Sequence, residues 1–304
     1  MQSLKKVIVC VTYTLNIITI AVLFSGCGDD GPVGILPLTV VDGILVYEYE
    51  DELETYVKIN RNGNITPLNN PHGQKEWQPA VSPDGTKVAF IAQSGPIMTL
   101  HVKTLEGDAL RALPTGWARY PSWSPDGSQL VYQGIVSTSE RGLYVINVDG
   151  TERNRISQNF GFPSWSSDST LIYYGFEDKI YSVTPSGSAE MAIKAYGNMY
   201  NVLQIAISPI GGHLALQLQS HDYTTSEIHI VGVDGLFDYR LSGVGIWALA
   251  PCWSPDGKKV AYSYGFTIQE IGATTITNGL FERLTNSASG TQCHQPSWGL
   301  VPTI

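Results

Sequence analysis

Histidine, cysteine and carboxylate side chains are the residues of this sequence that could hold a metal or transfer a proton. The chain has six histidines, and none of them shows the i, i+4 or clustered Cys/His spacing of a metal site. The sequence also lacks a Gly-x-Ser-x-Gly elbow, a phosphate-binding loop and a His-Glu-x-x-His motif. We therefore predict no metal and no cofactor, and a catalytic set only if distant loops assemble one.

The N-terminal segment is typical of a secretory signal. Residues 1–6 are short and positively charged, residues 7–24 are mostly apolar, and the small residues Ser25 and Gly26 stand directly before Cys27. A basic start, an apolar stretch and small residues before a cleavage point form such a signal. We predict that the domain is exported and tethered to the cell envelope, in the periplasm or on the outer membrane or cell surface.

Cys27 is the candidate for covalent modification. Its context resembles the bacterial lipobox, although Phe24 stands where leucine is usual. The resemblance implies that Cys27 receives lipid and becomes the new N-terminus, so that residues 1–26 are a signal peptide and residues 27–36 a lipidated tether. The alternative is that residues 7–24 remain as an uncleaved anchor, since eighteen residues can just span a bilayer.

The charge of the chain argues against nucleic-acid binding. The formal net charge is −9, and it becomes −11 without residues 1–26, which contain two lysines and no acidic residue. A protein that binds nucleic acid needs a basic surface to neutralise phosphates. We therefore expect no nucleic-acid partner.

A repeat of about 42 residues organises the rest of the chain. Five gapless copies of a Pro-x-Trp-Ser-Pro-Asp-Gly pattern place their serines 42, 42, 42 and 46 residues apart, and a half-copy ends the chain at Gln295–Gly299. These serines are Ser82, Ser124, Ser166, Ser208 and Ser254. A second turn signal recurs in each of six units, at Asn62-Gly63, Glu106-Gly107, Asp149-Gly150, Ser186-Gly187, Asp234-Gly235 and Asn278-Gly279.

Each unit is predicted to contain four short strands. Ser-Trp-Ser ends the first, and Pro-Asp-Gly then supplies a turn because proline presets φ and glycine accepts a left-handed conformation. Second strands such as Val88–Ile91 are apolar with little alternation, which indicates that both faces are covered. Four strands in a unit of this length predict an all-β, six-bladed β-propeller over residues 37–304, with four antiparallel strands per blade.

These motifs resemble the repeats of the TolB propeller family, over about residues 38–300. The resemblance implies the fold more than the function, because this repeat occurs in proteins of many roles. TolB carries a further α/β domain before its propeller, and its TolA-binding role belongs to that region. We therefore do not carry that role over to this chain. The resemblance also implies a protein partner, because the channel-mouth face of that family receives the lipoprotein Pal.

The terminal half-copy predicts how the ring closes. Six second strands are present, but the complete first-strand signature occurs only five times before Gln295–Gly299. We expect this C-terminal strand to join the N-terminal strands in one blade, which removes the open sheet edges.

We interpret the signature tryptophans as packing between blades, since Val81 and Ile207 replace them in two units. The signature aspartates are expected to cap their own turns.

Cys252 and Cys293 leave a disulfide open. An exported protein lives where disulfides persist. However, Cys252 is one residue before its signature tryptophan and Cys293 is five before its own. On neighbouring inner strands this offset is roughly 13 Å of strand rise, beyond the roughly 7 Å that a disulfide allows between Cα atoms.

The connectors from each fourth strand to the next first strand must all open on one face of the disc. They hold all three tryptophans outside the signature position, with other aromatics and a few charges. Exposed aromatics with arginine are typical of interfaces, whereas the alternative is that each ring only caps its own blade. The candidate binding residues are Trp77, Trp117, Arg119, Phe160, Tyr196, Tyr200, Trp247 and His294.

The sequence thus favours a monomeric envelope lipoprotein that binds a protein or an envelope ligand through this aromatic face. The alternative is a propeller enzyme, such as a carbohydrate-active lyase or hydrolase, with a site in the central channel. Histidine, glutamate or arginine side chains converging on the channel would favour the enzyme. An aromatic rim over an apolar or water-filled channel would favour the binding module.

Overall fold

The computed structural model describes residues 8–14, 17–23, 43–51, 54–68, 75–106, 109–266, 269–286 and 291–300. The chain divides into two compact units, residues 1–39 and 40–304. In the first unit β1 (Ile8–Thr14) and β2 (Ile17–Leu23) pair antiparallel. Cys27 and the tether 27–36 lie outside the described residues, so their assignment stays a prediction. In the described part of the chain, no helix is long and apolar enough to cross a membrane.

The second unit consists of six four-stranded antiparallel sheets, each numbered here as a blade with its strands given from the inside outward. Blade 1 contains β26 (Gln292–Gly299), β3 (Ile44–Glu50), β4 (Thr55–Arg61) and β5 (Asn64–Pro67). Blade 2 contains β6 (Lys75–Val81), β7 (Lys87–Ser94), β8 (Ile97–Thr104) and β9 (Leu110–Ala112). Blade 3 contains β10 (Trp117–Trp123), β11 (Gln129–Ser137), β12 (Glu140–Asn147) and β13 (Asn154–Ser157).

Each of the remaining three blades consists of four strands that are consecutive in the sequence. Blade 4 contains β14 (Phe162–Trp165), β15 (Ile172–Phe176), β16 (Lys179–Val183) and β17 (Met191–Ala195). Blade 5 contains β18 (Tyr200–Ile207), β19 (His213–Ser220), β20 (Ser226–Gly232) and β21 (Asp238–Arg240). Blade 6 contains β22 (Ala248–Trp253), β23 (Lys259–Tyr264), β24 (Glu270–Thr275) and β25 (Phe281–Arg283).

The ring closes within blade 1. The last strand, β26, pairs antiparallel with β3, with Trp298 opposite Leu45 and Ser297 opposite Val46. The inner strands contact one another all the way round, including β26 against both β22 and β6. The predicted six-bladed propeller, closed by the C-terminal strand in the N-terminal blade, is therefore confirmed.

The Ser-Pro-Asp-Gly turns between first and second strands are held by their own side chains. In blade 3 the Ser124 hydroxyl donates to Asp126 Oδ1 at 2.6 Å, and the Ser128 backbone N–H donates to the same oxygen at 3.0 Å. These bonds lower the pKa of Asp126, that from Ser124 contributing most. Gly127 follows at a φ of 70°, where glycine carries no steric penalty. The predicted capping role of the signature aspartates is confirmed by the same bonds at Asp84, Asp168 and Asp256.

The core lies between blades. Second-strand residues such as Leu130 and Val131 are both buried although they point to opposite faces, because each blade is covered on both sides. The signature tryptophan Trp123 is buried and its Nε1–H donates to the Ala80 carbonyl of the preceding blade at 2.8 Å. Trp253 makes the equivalent bond to Ala206 at 3.0 Å. These contacts confirm that the signature tryptophans pack between blades.

Cys252 and Cys293 are not joined by a disulfide in the structure. Cys252 lies opposite Ala261 on β23, whereas Cys293 lies opposite Tyr49 on β3. Both pack in the apolar cluster between blades 6 and 1. Burial raises the pKa of the Cys252 thiol, which keeps this side chain in its protonated, unreactive form.

Candidate functional site

The disc has two faces with different loops. Because neighbouring strands are antiparallel, the connectors between blades lie at the same end as the loops between second and third strands. We call this end the loop face. The Ser-Pro-Asp-Gly turns lie at the opposite end, which we call the turn face.

A bulge interrupts the inner strand in five blades. The register of pairing shifts between Trp77 and Ala80 in blade 2 and at the same repeat position in blades 1, 3 and 6. In blade 5 it shifts one residue earlier, between Val202 and Ile205. Four of the bulge residues have φ between 51° and 53° although none is glycine, a conformation that such residues rarely adopt. The residues at this position in the six repeats, called the ring residues below, are Gln78, Tyr120, Phe162, Gln204, Ala250 and Gln295.

Side chains of the second strands hold these bulges in place. Gln217 Oε1 accepts from the Ala250 backbone N–H at 3.1 Å, and Ser263 Oγ accepts from the Gln295 N–H at 3.1 Å. The buried carboxylate of Glu48, at the same repeat position in blade 1, accepts from the Gln78 N–H. Glu48 therefore has the same structural role as Gln217 and Ser263, and the bond to Gln78 satisfies its buried carboxylate, since buried polar groups need hydrogen bonds.

His294 lies beside Glu48 at the loop-face end of the channel. Its Nδ1 is 3.0 Å from Glu48 Oε2, and its Nε2 is 3.5 Å from Glu50 Oε2. Burial of the imidazole acts to lower its pKa, but the hydrogen bond and negative charge of Glu48, followed by those of Glu50, outweigh burial and raise the pKa of His294 above 6.5. Protonated His294 therefore links the closing strand β26 to β3.

This geometry predicts a pH dependence of stability. Because the pKa of His294 is higher in the folded state than in the unfolded one, its contribution is fully present below about pH 6.5 and is lost as the pH rises through the folded pKa. The His294→Gln variant should be less stable than the wild type at pH 5.5, and the difference should shrink at alkaline pH. Denaturant unfolding of both proteins from pH 5.5 to 9 measures it, and a difference that grows with pH would contradict the assignment.

Three of the predicted binding residues meet on the loop face of blades 3 and 4. The rings of Trp117 and Phe160 stack with centroids 5.8 Å apart, and the Arg119 guanidinium lies 5.3 Å from the Trp117 ring. The exposed Arg141 adds a second guanidinium 4.7 Å from the Phe160 ring. We call these four residues the Trp117 cluster. Among the described residues, neither arginine forms an ion pair with a carboxylate.

Tyr196 and Tyr200 belong to a second group, at the junction of blades 4 and 5. Their rings meet edge to face at 6.2 Å. Tyr196 is buried, and its hydroxyl donates to Asp238 Oδ2 at 2.9 Å. Asp238 also lies 2.8 Å from His229 Nδ1 and 3.2 Å from Lys194 Nζ. The hydroxyl of Tyr196 is thus hydrogen-bonded within the domain, whereas Tyr200 is half-buried.

The other two predicted tryptophans have different surroundings. Trp247 is half-buried and meets Phe266 edge to face at 5.6 Å, and Phe266 is 81% exposed. Val244, in the same connector as Trp247, is also 81% exposed. Trp77 lies in strand β6 opposite Ile91 and packs against the core between blades 2 and 3. Trp247 is therefore available at the surface, whereas Trp77 is mainly a packing residue.

The ring residues divide the channel into two cavities. The wider one has a volume of about 470 Å³ and extends from the ring residues to the turns at Pro83, Pro125 and Pro255. The narrower one, of about 190 Å³, lies toward the loop face and is lined by His294, Gln217 and Gln269 among others. In the described part of the chain, no group of three or more His, Cys, Asp or Glu side chains is arranged to hold a metal ion.

Comparison with known families agrees with this architecture. A model of the TolB beta propeller domain matches residues 72–301. The chain belongs to this family. A search of curated protein sequences gives no significant match.

Solved structures similar to this TolB-family chain show the same fold. TolB from Acinetobacter baumannii is 14% identical, with 86% of this chain and 67% of that chain covered and a TM-score of 0.73. A putative TolB from Agrobacterium tumefaciens is 18% identical, with 85% and 99% covered and a TM-score of 0.64. An oligogalacturonate lyase in complex with manganese is 13% identical, with 83% and 79% covered and a TM-score of 0.57. Identities this low establish the fold alone.

Two residues of this TolB-family face were missed by sequence reasoning. Arg141 is the second residue of the third strand of blade 3, next to the loop that follows the second strand, and Phe266 follows the second strand of blade 6. The sequence prediction covered only the connectors between blades. The signal was present, because loops between second and third strands open on the same face as those connectors. Which loop reaches which connector depends on side-chain packing that the repeat does not encode.

Proposed function

We propose that this chain is a cell-envelope lipoprotein, anchored through Cys27, whose monomeric propeller binds a protein partner through the loop face. The observation that carries the proposal is the Trp117 cluster, which joins two stacked rings and two guanidinium groups. Membership of the TolB propeller family supports a binding role for this kind of disc. Export and lipid anchoring rest on residues 1–27 of the sequence.

The chemistry of the Trp117 cluster suits a protein interface. Tryptophan and arginine are the residues that most often dominate binding energy. A guanidinium over an aromatic face is held ready to meet a carboxylate, so less conformational freedom is lost on binding. Without residues 1–26 the chain carries a formal net charge of −11. Two arginines that form no ion pair with a carboxylate of the described residues are therefore a local exception on this face. We therefore expect the partner to present an acidic group beside an apolar surface.

The second part of the face is apolar. Trp247 meets Phe266 across two neighbouring loops, Val244 lies in the same connector as Trp247, and Val244 and Phe266 are largely exposed. Exposed apolar side chains at neighbouring positions mark interaction surfaces. A partner that covered both blade 3 and blade 6 would span the channel mouth.

The alternative of an enzyme in the channel receives less support. His294 and Glu48 do converge at the narrower cavity, but Glu48 has the same capping task as Gln217 and Ser263. The described residues that line the wider cavity include no carboxylate pair, the arrangement that glycoside hydrolysis ordinarily uses. Affinity capture with the full-length tagged chain from envelope extract, followed by titration of the purified partner, tests the binding function directly.

The anchor has its own test. Cys27→Ser should abolish incorporation of labelled palmitate in cells and release the domain from the membrane fraction, because serine provides no thiol for the lipid. Cys252→Ser serves as the matched control and should keep the label, since that thiol packs against the apolar cluster between blades 6 and 1. A wild-type chain that takes up no label would disprove the lipoprotein assignment.

A further inference from the structure

The wider cavity of the channel has the dimensions of a ligand site. Its volume of about 470 Å³ falls within the range of roughly 300–1,000 Å³ that small-molecule sites occupy. The ring residues form its floor, and its walls are inner-strand residues of all six blades. The cavity reaches the turn face, at the opposite end of the channel from the proposed protein-binding surface.

The lining of this cavity is uncharged. Of the described residues that form it, none is Asp, Glu, Lys, Arg or His. The aspartates of the neighbouring turns are held by their own serines, as Ser124 holds Asp126. A charged ligand would lose its hydration there without gaining a counter-charge, which is costly. The ligand that fits is therefore neutral.

The floor combines amides with an aromatic pair. Gln204 Nε2 and Gln295 Oε1 lie 3.4 Å apart, a long contact that spans the Ala250 position. Gln204 Oε1 and Gln295 Nε2 form no hydrogen bond with the other described residues, so an acceptor and a donor remain for a ligand. The rings of Tyr120 and Phe162 meet edge to face at 4.6 Å on the other side of the floor.

The repeat itself shows that these glutamines are not needed for packing. The flanking position is proline in five of the six units, namely Pro79, Pro121, Pro163, Pro251 and Pro296. By contrast, the ring position is glutamine, tyrosine, phenylalanine or alanine. Ala250 has a φ of 53°, close to the 51° of Gln295, so the same backbone is built with a methyl group or a long amide.

We propose that this cavity binds a neutral saccharide of one or two rings. Sugar hydroxyls match the remaining donor and acceptor of the glutamine amides, and sugar C–H faces match the rings of Tyr120 and Phe162. Free amino acids and peptide termini carry charges for which the described lining has no partner. The same reasoning disfavours uronic acids and amino sugars.

The test uses the full-length chain in detergent and follows tryptophan fluorescence, since Trp123, Trp165 and Trp253 line the cavity. The probes are cellobiose and N,N′-diacetylchitobiose, with digalacturonate and unacetylated chitobiose as anionic and cationic counterparts of similar size. We expect saturable binding of at least one neutral disaccharide, and at least tenfold weaker binding of both charged ones. Calorimetric titration confirms the affinities.

Two variants test the floor of the cavity. Gln204→Leu keeps the size of the side chain but removes its hydrogen bonds, and should weaken binding about three- to tenfold. Three of the six ring residues are already glutamine, so the fold should accept Ala250→Gln. The new amide should bond to Gln204 and Gln295 in place of a ligand, which should also weaken binding. The exposed Gln158 lies outside the cavity, and Gln158→Leu should leave the affinity unchanged.

Melting temperatures of all variants are measured alongside, so that a folding defect is recognised. Absence of saturable binding for both neutral disaccharides would overturn the proposal. Equal binding of the charged counterparts, or affinities unaffected by both Gln204→Leu and Ala250→Gln in folded protein, would overturn it as well.

Discussion

Deletion of Gln295–Ile304 is expected to abolish cooperative unfolding and to cause aggregation. The deletion removes most of β26, including Trp298, which lies opposite Leu45 in the closing strand pair. Blade 1 would lose its inner strand, and β3 would present an unpaired edge. The inner strands of blades 6 and 2 would also lose the neighbour that they share.

Thermal unfolding by circular dichroism and size-exclusion chromatography measure this effect. Deletion of residues 301–304 alone keeps β26 complete and serves as the control, which should unfold as the full-length chain does. If the longer deletion also unfolds cooperatively at the same temperature, the ring must close in another way.

The architecture could be predicted because the repeat carries two turn signals in each unit. Pro-Asp-Gly and a second glycine turn divide every unit into short strands, and side-chain capping at residues such as Asp126 makes the first turn locally stable. The half-copy around Trp298 then supplies the inner strand of blade 1, the blade that lacks a first strand at the N-terminal side. Fold and closure thus follow from local chemistry and counting.

The start of the inner strands could not be predicted in the same way. A bulge residue in the left-handed conformation is recognisable in a sequence when it is glycine, as in G1 bulges, but here Gln78, Tyr120, Ala250 and Gln295 adopt that conformation. Beyond each bulge the strand continues toward the loop face, so that Trp77 and Trp117 lie in β6 and β10 and not in connectors. The bulges are stabilised by side chains of the preceding blade, a contact between residues about 30 positions apart.

The candidate face was predicted as one set of residues, but the structure separates it. Trp117, Arg119 and Phe160 are brought together, whereas Tyr196 turns inward to Asp238. His294 was assigned to the same face, and it lies at the inner channel beside Glu48. Aromatic residues at connector positions carry the same sequence signal whether they point outward or cap a blade. Only the neighbouring side chains decide between the two.

Trp117→Ala and Trp247→Ala are expected to weaken binding of the protein partner much more than they destabilise the fold. Both indoles are half-buried on the loop face, and neither donates a hydrogen bond to a described residue of another blade, as Trp123 does. Truncating an interface aromatic commonly costs about 2 kcal/mol or more when it is a hot spot, which corresponds to about 30-fold in Kd. The melting temperature of each variant should stay within a few degrees of the wild type.

Trp123→Ala is the matched control for this pair. Its indole is buried between blades 2 and 3 and donates to the Ala80 carbonyl, so its removal should cost about 3–5 kcal/mol of folding free energy. Binding per folded molecule should be unchanged in that variant, because the residue lies away from the loop face. Capture of the purified partner and thermal unfolding are measured on all three proteins. A large loss of stability with unchanged capture in Trp117→Ala and Trp247→Ala would show that these rings cap their blades, and the loop face would then not be the binding surface.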